Sequence, residues 1–221
     1  MKTLVVAPHP DDELLGCGGT LLKRKADGGT LAWLIVANVS TEGGWPADKV
    51  AGRNQEIAAV TKAVGFDRVY NLALPPTRLD ELPLGSLIQK MSEAFADFAP
   101  EEVLLPHWSD VHTDHHVVFD VAAGCTKWFR YPSVRRVMAY ETISETDFGL
   151  KPEQSFVPNV FVDITDHLER KLKIMSIYSS ELGMPPFPRS LDAIRAQAVL
   201  RGAASGFRAA EAFQLLRERV S

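Results

Sequence analysis

The stretch Leu4–Glu13 reads LVVAPHPDDE and decides the fold. Its first four residues are apolar and end at Pro8, a pattern that predicts a short, fully buried strand of a parallel sheet. Carboxylates at Asp11 to Glu13 follow, and they can start a helix because negative charge suits the exposed N–H groups of a helix N-terminus. A strand followed at once by a helix is the beginning of an α/β unit.

The first half of the chain repeats this alternation of strands and helices. Further strands are predicted at 30–39, 67–72 and 102–105, with helices from residue 12 to the Gly28–Gly29 pair, at 48–64 and at 84–98. This order predicts an α/β fold with a Rossmann-like, mostly parallel sheet and helices on both faces. A chain of 221 residues that is 46% hydrophobic can form one such domain over residues 1–221.

The second half is less regular. We expect strands at 136–141 and 160–164, helices at 168–178 and 194–202, and a last amphipathic helix at 208–219. The segment 183–188, GMPPFP, is predicted to be a loop because proline removes a backbone donor and fixes φ. We regard this loop as a candidate lid over a site.

Composition excludes several function classes. The net charge of -4 gives no electrostatic reason to expect nucleic acid or an anionic membrane as a partner. No apolar run is long enough to span a bilayer, and the first residues lack the features of a signal peptide. Cys17 and Cys125 form no CxxC pair, so we expect two buried thiols in a reducing cytoplasm.

Two clusters of metal-binding residue types each follow a predicted strand. The first is HPDDE at 9–13, and the second is HWSDVHTDHH at 107–116, which holds four of the six histidines. Ligand sites in open α/β sheets lie at the carboxyl ends of strands, so the two clusters can face each other. Either cluster alone could be helix capping or solvated histidines. Together they favour a catalytic zinc site with three protein ligands and an open position.

At this point the sequence resembles a known family. HPDDE at 9–13 together with HTDH at 112–115 is similar to the paired signature of the PIG-L / LmbE-like deacetylases. Thr113 replaces the commoner proline, at a position without side-chain chemistry, and the resemblance covers at least residues 1–125. It implies a zinc-dependent hydrolase that removes the N-acetyl group from an N-acetylglucosamine-type sugar, free or joined to a nucleotide, lipid or oligosaccharide.

The resemblance also implies roles for individual residues. Asp11 is the implied general base that takes a proton from the attacking water, and His112, held by Asp114, is implied to stabilise the oxyanion or protonate the leaving amine. Another divalent ion such as Fe²⁺ can replace Zn²⁺ at such ligands. Spacing alone leaves His116 open as the third ligand, and Glu13 is expected to support the loop. The implied metal ligands are His9, Asp12 and His115, beside the catalytic residues Asp11, His112 and Asp114.

Expectations about the substrate are broader. Arg53 and Glu56 match an Arg-x-x-Glu pattern of this family, in which the arginine tends to reach the sugar. Trp45 could offer an apolar face to a sugar ring, and Tyr140 lies in a segment that resembles bacterial members. The implied partner is a small-molecule or oligosaccharide amino sugar, and a homo-oligomer remains open.

Three other functions were weighed. The same chemistry would serve an amidase acting on another acylated amine, such as a thiol conjugate. A dinucleotide-binding domain is disfavoured, because the glycines at 16–19 lie inside the helix, where Gly18 and Gly19 allow close packing, and do not meet GxGxxG spacing. An inactive metal- or carbohydrate-binding module is disfavoured because all the implied catalytic residues are present.

Overall fold

The computed structural model describes residues 1–220 and has seven strands and six α-helices in that range. The strands are β1 (Lys2–Ala7), β2 (Thr30–Ala37), β3 (Arg68–Leu74), β4 (Glu102–Pro106), β5 (Arg136–Tyr140), β6 (Val160–Asp163) and β7 (Ala210–Glu218). The helices are α1 (Asp12–Ala26), α2 (Ala47–Val64), α3 (Leu84–Phe98), α4 (Thr113–Gly124), α5 (Leu168–Met175) and α6 (Leu191–Ala203).

All seven strands form one sheet in the order β3-β2-β1-β4-β5-β7-β6. The first five of these are parallel neighbours, whereas β7 runs antiparallel to both β5 and β6. The predicted α/β fold with a mostly parallel sheet is therefore confirmed. Strand β1 pairs with β2 on one side and β4 on the other, which makes this the point where the strand order reverses. Ligands of open α/β sheets bind at such a point, beyond the carboxyl ends of the strands.

Helices cover both faces of the sheet, as predicted. One core cluster joins Val5 and Ala7 to α1, α2, α5 and α6, and a second joins Leu4 and Val6 to α3 and α4. These four β1 side chains are fully buried, which explains why β1 is a continuous apolar run and not an alternating one. Among the helices of residues 1–220, none has the length and apolarity that crossing a membrane would require.

Helix α1 packs tightly against the sheet through glycines. A Cβ added at Gly16 would overlap the ring of Tyr140, and one at Gly19 would lie 2.7 Å from Ile164. The glycines of this segment therefore serve close packing, as the sequence indicated, and carry no dinucleotide signature. Cys17 between them is buried and free, as is Cys125.

The same helix is broken at Cys17, whose φ of -146° and ψ of 19° are not helical. The freed N–H groups of Gly19 and Thr20 donate to the carboxylate of Glu211 at 2.7 and 2.6 Å. Lys171 donates from Nζ to Glu211 and to the carbonyl of Leu15. A buried ion pair thus satisfies both sides of the break, because unpaired backbone groups in a core are costly.

The helix predicted at 208–219 is wrong, since this segment forms strand β7. Its composition of Ala, Glu, Gln, Leu and Arg favours a helix by propensity. The first four residues, Ala210–Phe213, are all buried, so the period of two that would reveal a strand is hidden. Pairing with β5 and β6 on both sides supplies the hydrogen bonds that override the local preference.

Candidate active site

The two clusters of the sequence meet at the carboxyl ends of β1 and β4. These strands are parallel neighbours, so the loops that follow them leave the sheet at the same edge. The imidazole of His9 lies 4.7 Å from that of His112 and 5.6 Å from that of His115 between ring centroids. Residues more than one hundred positions apart in the chain therefore form one group of ionisable side chains.

Three of these side chains could hold a metal ion. His9, Asp12 and His115 offer ligand atoms that all lie within 4.8 Å of one another. Oδ2 of Asp12 lies 3.5 Å from Nδ1 of His9 and 3.4 Å from Nε2 of His115. Zinc bonds of about 2.0–2.2 Å in a tetrahedral arrangement put ligand atoms about 3.3–3.6 Å apart, so the donor set fits this ion. A second group, His9, His112 and Asp114, also falls within 4.8 Å.

Carboxylates behind the two imidazoles favour the first group. The second nitrogen of His9, Nε2, lies 2.9 Å from Oδ2 of Asp114, and Nδ1 of His115 lies 2.8 Å from Oδ2 of Asp110. Thr146 donates its hydroxyl to the other oxygen of Asp110 at 2.6 Å. Histidine ligands of metals commonly donate their outer N–H to a carboxylate in this way, which fixes the ring orientation.

The contacts of Asp114 differ from the implied one with His112. Its carboxylate contacts His9 and accepts the backbone N–H groups of Thr77 and Leu79, at 2.7 and 3.2 Å, and does not orient His112. The reason is its position in the first turn of α4, which directs the side chain back toward the β1 loop. Sequence reasoning missed Asp110, although it lies within the 107–116 cluster, because four residues of loop and helix start separate it from His115.

His112 occupies the N-cap of α4 and lines the cleft. Its Nδ1 accepts the backbone N–H of Asp114 at 3.1 Å, and a backbone N–H can only donate. This hydrogen bond assigns the proton of the neutral ring to Nε2. Burial, with the neighbouring His9 and His115, lowers the pKa of His112, which favours the neutral ring.

Asp11 is held in an unusual backbone conformation beside these ligands. Its φ of 137° is rare for a residue with a side chain, and such strain persists only where surrounding contacts enforce it. The buried carboxylate of Glu13 accepts the N–H of Asp11 at 3.0 Å and the hydroxyl of Tyr178 at 3.1 Å. Glu13 therefore supports the loop, as predicted from the sequence.

The two adjacent aspartates of the site, Asp11 and Asp12, have pKa values shifted in opposite directions. Burial, Asp12 and Glu181 together raise the pKa of Asp11 to about 8. Burial acts in the same direction on Asp12, but the charge and hydrogen bond of His115 outweigh it and hold the pKa well below the usual range. Burial alone would lower the pKa of His9, yet its hydrogen bonds to Asp114 and Asp12 raise it to about 9.

A cleft of about 910 Å³ opens over this group. Of the expected substrate contacts, Trp45, Arg53 and Glu56 all line it, and Trp45 is 45% exposed. The structure adds two lining residues that sequence reasoning did not select, Glu181 and Arg189, which lie on either side of the predicted loop at 183–188. That loop borders the cleft, with the prolines at 185 and 186 exposed.

Tyr140 does not reach the cleft, and this prediction is wrong. Its side chain is fully buried, and its hydroxyl donates to the carbonyl of Val6 at 2.8 Å. His116, the alternative third ligand, hydrogen-bonds through Nε2 to the backbone carbonyl of Asp110 and belongs to neither candidate metal group. His107, the first histidine of the 107–116 cluster, is only 1% exposed, because its ring packs against Trp108 and Phe156.

The chain is similar in sequence and fold to several known proteins. Diacetylchitobiose deacetylase of Thermococcus kodakarensis is 26% identical over 97% of this chain and 83% of its own length. The crystal structure of the conserved protein TT1542 from Thermus thermophilus has a TM-score of 0.79 and 27% identity, and the match covers 99% of this chain and 96% of that one. GalB, the 4-carboxy-2-hydroxymuconate hydratase of Pseudomonas putida KT2440, shares the fold with a TM-score of 0.76 at 18% identity, over 100% of this chain and 98% of that one.

A family model described as PIG-L, GlcNAc-PI de-N-acetylase, matches residues 4–125. This range contains both clusters of the sequence and the strands β1 and β4 that bring them together. Because the match covers more than half of the 221 residues, the chain belongs to the PIG-L family.

Proposed function

We propose that this protein is a zinc-dependent N-deacetylase of amino sugars, with His9, Asp12 and His115 as the metal ligands. The observation that carries the proposal is the spacing of these three donors, with a carboxylate behind each imidazole and Asp11 next to the group. Membership of the PIG-L family supports the same reaction, as does the similarity to a diacetylchitobiose deacetylase.

When bound, zinc supplies a Lewis acid and lowers the pKa of a water toward about 7. Asp11 accepts the proton of the attacking water, and it is suited to this task because its carboxylate is buried and held by its own strained backbone. Asp12, one residue further, stays ionised beside two imidazoles. The two neighbouring carboxylates therefore divide the roles of base and ligand.

His112 acts on the amide. Because Nδ1 accepts a backbone N–H, the proton of the neutral ring lies on Nε2, and this Nε2–H can hydrogen-bond the oxygen on which negative charge develops as the carbonyl becomes tetrahedral. The proton that Asp11 has taken up then passes to the leaving amine. Asp114 and Asp110 are positioning residues in this scheme, because they contact His9 and His115 and not the substrate.

The cleft favours an amino sugar as the amine that leaves. It presents the indole of Trp45 together with paired charges on α2 and on the segment around 181–189. An acylated thiol conjugate would use the same catalytic groups and is the alternative substrate. The fold alone does not select the reaction, because GalB shares it and is named a hydratase.

Acetate release tests the proposal. The protein is treated with a chelator and measured before and after zinc is added, on N-acetylglucosamine, nucleotide-linked N-acetylglucosamine and short chitin oligomers. We expect acetate only in the presence of metal. If a zinc-loaded protein releases none from any of these sugars, amino-sugar deacetylation is contradicted, and acetylated thiol conjugates become the next substrates to test.

A further inference from the structure

One wall of the cleft carries two arginines whose charges are already paired. Arg53 donates from Nη2 to Oε1 of Glu181, and its Nε lies 3.4 Å from Oε2 of Glu56. Arg189 places Nη1 3.4 Å from Oδ2 of Asp11 and Nη2 3.6 Å from Oε2 of Glu181. Glu181 therefore bridges the two guanidinium groups.

This wall carries no net positive charge. Arg53 and Arg189 face the carboxylates of Glu56 and Glu181, which balance them whether or not Asp11 adds a third negative charge. The other charged residues that line the cleft away from the histidines and Asp12 do not reverse this. They are Asp48, Lys49 and Glu145, two negative and one positive, so they add one further negative charge.

This arrangement suits hydroxyl groups and disfavours phosphate. A phosphate is bound by guanidinium groups whose donors are free to form paired hydrogen bonds. Here the carboxylate of Glu181 engages both arginines, and the side chains of Arg53 and Glu181 are only 15% and 23% exposed, so water screens them weakly. A sugar hydroxyl both donates and accepts, and an adjacent arginine and glutamate offer both partners.

We propose that Glu181 is a specificity-determining residue, which makes the cleft accept uncharged or cationic amino sugars and reject phosphorylated ones. The inference rests on the proposed deacetylase function and narrows its substrates, because it removes sugar phosphates and nucleotide-linked sugars from the candidates. A phosphate at this wall would have to separate Glu181 from two arginines or lie against its charge, and such a repulsive group is a common source of specificity.

Kinetics with matched substrates tests the inference. Acetate release by the zinc-loaded wild type and by Glu181→Gln is measured on N-acetylglucosamine, its 1-phosphate and its 6-phosphate. Glutamine keeps the shape and a hydrogen bond to Arg53 but removes the charge. The wild type should prefer the neutral sugar, and in the variant kcat/KM should shift about tenfold toward at least one phosphate, as expected for one charge at this range.

Glu153→Gln is the matched control, because it removes the same charge by the same substitution. Glu153 is exposed and does not line the cleft. We expect this variant to leave the ratio of the neutral to the phosphorylated substrate unchanged. A wild type that prefers a phosphate, or an equal ratio in Glu181→Gln and the wild type, would overturn the inference.

Binding of the reaction products separates this inference from the function on which it rests. Glucosamine and its two phosphates are titrated calorimetrically into zinc-loaded wild type and Glu181→Gln. Any contact between phosphate and metal is common to both proteins. The difference in affinity between them therefore measures the effect of the charge on Glu181. A variant that binds a sugar phosphate about tenfold more tightly supports the role of Glu181 even if no acetate is released. Equal affinities contradict that role even in an active enzyme.

Discussion

Asp11 and Asp12 are adjacent in the chain, yet their surroundings give them opposite properties. Burial and neighbouring carboxylates raise the pKa of Asp11 to about 8, whereas His115 and His9 hold the pKa of Asp12 far below its usual range against the effect of burial. Pairs of titratable groups with separated pKa values mark acid–base sites in many enzymes. At this scale, the contacts of each carboxylate distinguish the proposed base, Asp11, from the proposed ligand, Asp12.

Replacement of the base should separate catalysis from metal binding. Asp11→Asn removes the proton acceptor but none of the three proposed ligands, so zinc content should remain near one per chain. Acetate release should fall about 10²–10⁴-fold, the range typical of general bases. The measurement is metal analysis combined with kcat on one substrate. Unchanged activity would exclude Asp11 as the base.

Removal of the carboxylate behind His115 should weaken zinc binding. Asp110→Asn keeps an acceptor for Nδ1 of His115 but loses the charge, and the zinc affinity should fall about 10–100-fold. Competition with a chromophoric chelator measures this change. Asp120→Asn, an exposed position on α4, serves as the control and should bind zinc like the wild type. Equal affinities for both variants would contradict the role of Asp110.

Among the elements, α1 determines how closely the catalytic loop can approach the sheet. Its first turn carries Asp12 and Glu13, and the contact of Gly16 with Tyr140 sets the distance between helix and strand. The break at Cys17, satisfied by Glu211 and Lys171, ties the same helix to β7 and α5. Tyr140 and Glu211 thus affect the site by holding α1 in place and not by contacting the substrate.

Two alanine substitutions test this packing. Gly16→Ala would press a methyl group into the Tyr140 ring, and we expect a loss of about 1–3 kcal/mol in the free energy of unfolding from overpacking. Gly52→Ala on α2 meets no atom within 4 Å and should gain about 0.5–1 kcal/mol from helix propensity. Urea unfolding measures both. A Gly16→Ala protein as stable as the wild type would refute the close contact.

For the whole molecule, the order of the sheet creates the site. Because β1 lies between β2 and β4, the crevice at the strand reversal receives both histidine-containing loops. Strands β7 and β6 extend the sheet beyond this crevice, and the chain between them returns over the site with Glu181 and Arg189. A ligand that binds across these elements should stabilise the entire fold.

Zinc should therefore raise the melting temperature in a pH-dependent way. At about 100 times its Kd a ligand adds about 2.7 kcal/mol, which corresponds to roughly 5–10 °C for a chain of this size. The pKa of His9 is raised to about 9, and despite burial the pKa of His115 is raised by Asp12 and Asp110. Below about pH 9 zinc must therefore displace at least one proton, and its affinity rises at least about tenfold per pH unit. At a fixed zinc concentration the shift should be smaller at pH 6 than at pH 8.

Histidine variants provide the controls for that shift. His115→Ala should abolish it, and His116→Ala should retain it, because only His115 belongs to the proposed ligand set. Scanning calorimetry with and without zinc measures both. A shift that survives in His115→Ala and disappears in His116→Ala would reverse the assignment of the third ligand.

The sequence by itself determined the contents of the two histidine-containing clusters and, apart from the unpredicted helix α4, the order of strands and helices up to residue 203. Both depend on neighbours in the chain: apolar runs and helical periodicity reveal elements, and HPDDE and HTDH are each contiguous. The sequence also shows that each cluster follows a strand. Because parallel strands of one sheet end at a common edge, the two clusters were predicted to face each other.

Only the tertiary structure decided which partners these residues have. Asp114 contacts His9 across 105 positions, Tyr140 is buried against Gly16, and the segment 208–219, helical by propensity, pairs as strand β7. Glu181 and Arg189 join the cleft from segments whose sequence does not show that they reach the site. Such contacts depend on distances between remote parts of the chain, which local composition and periodicity do not contain.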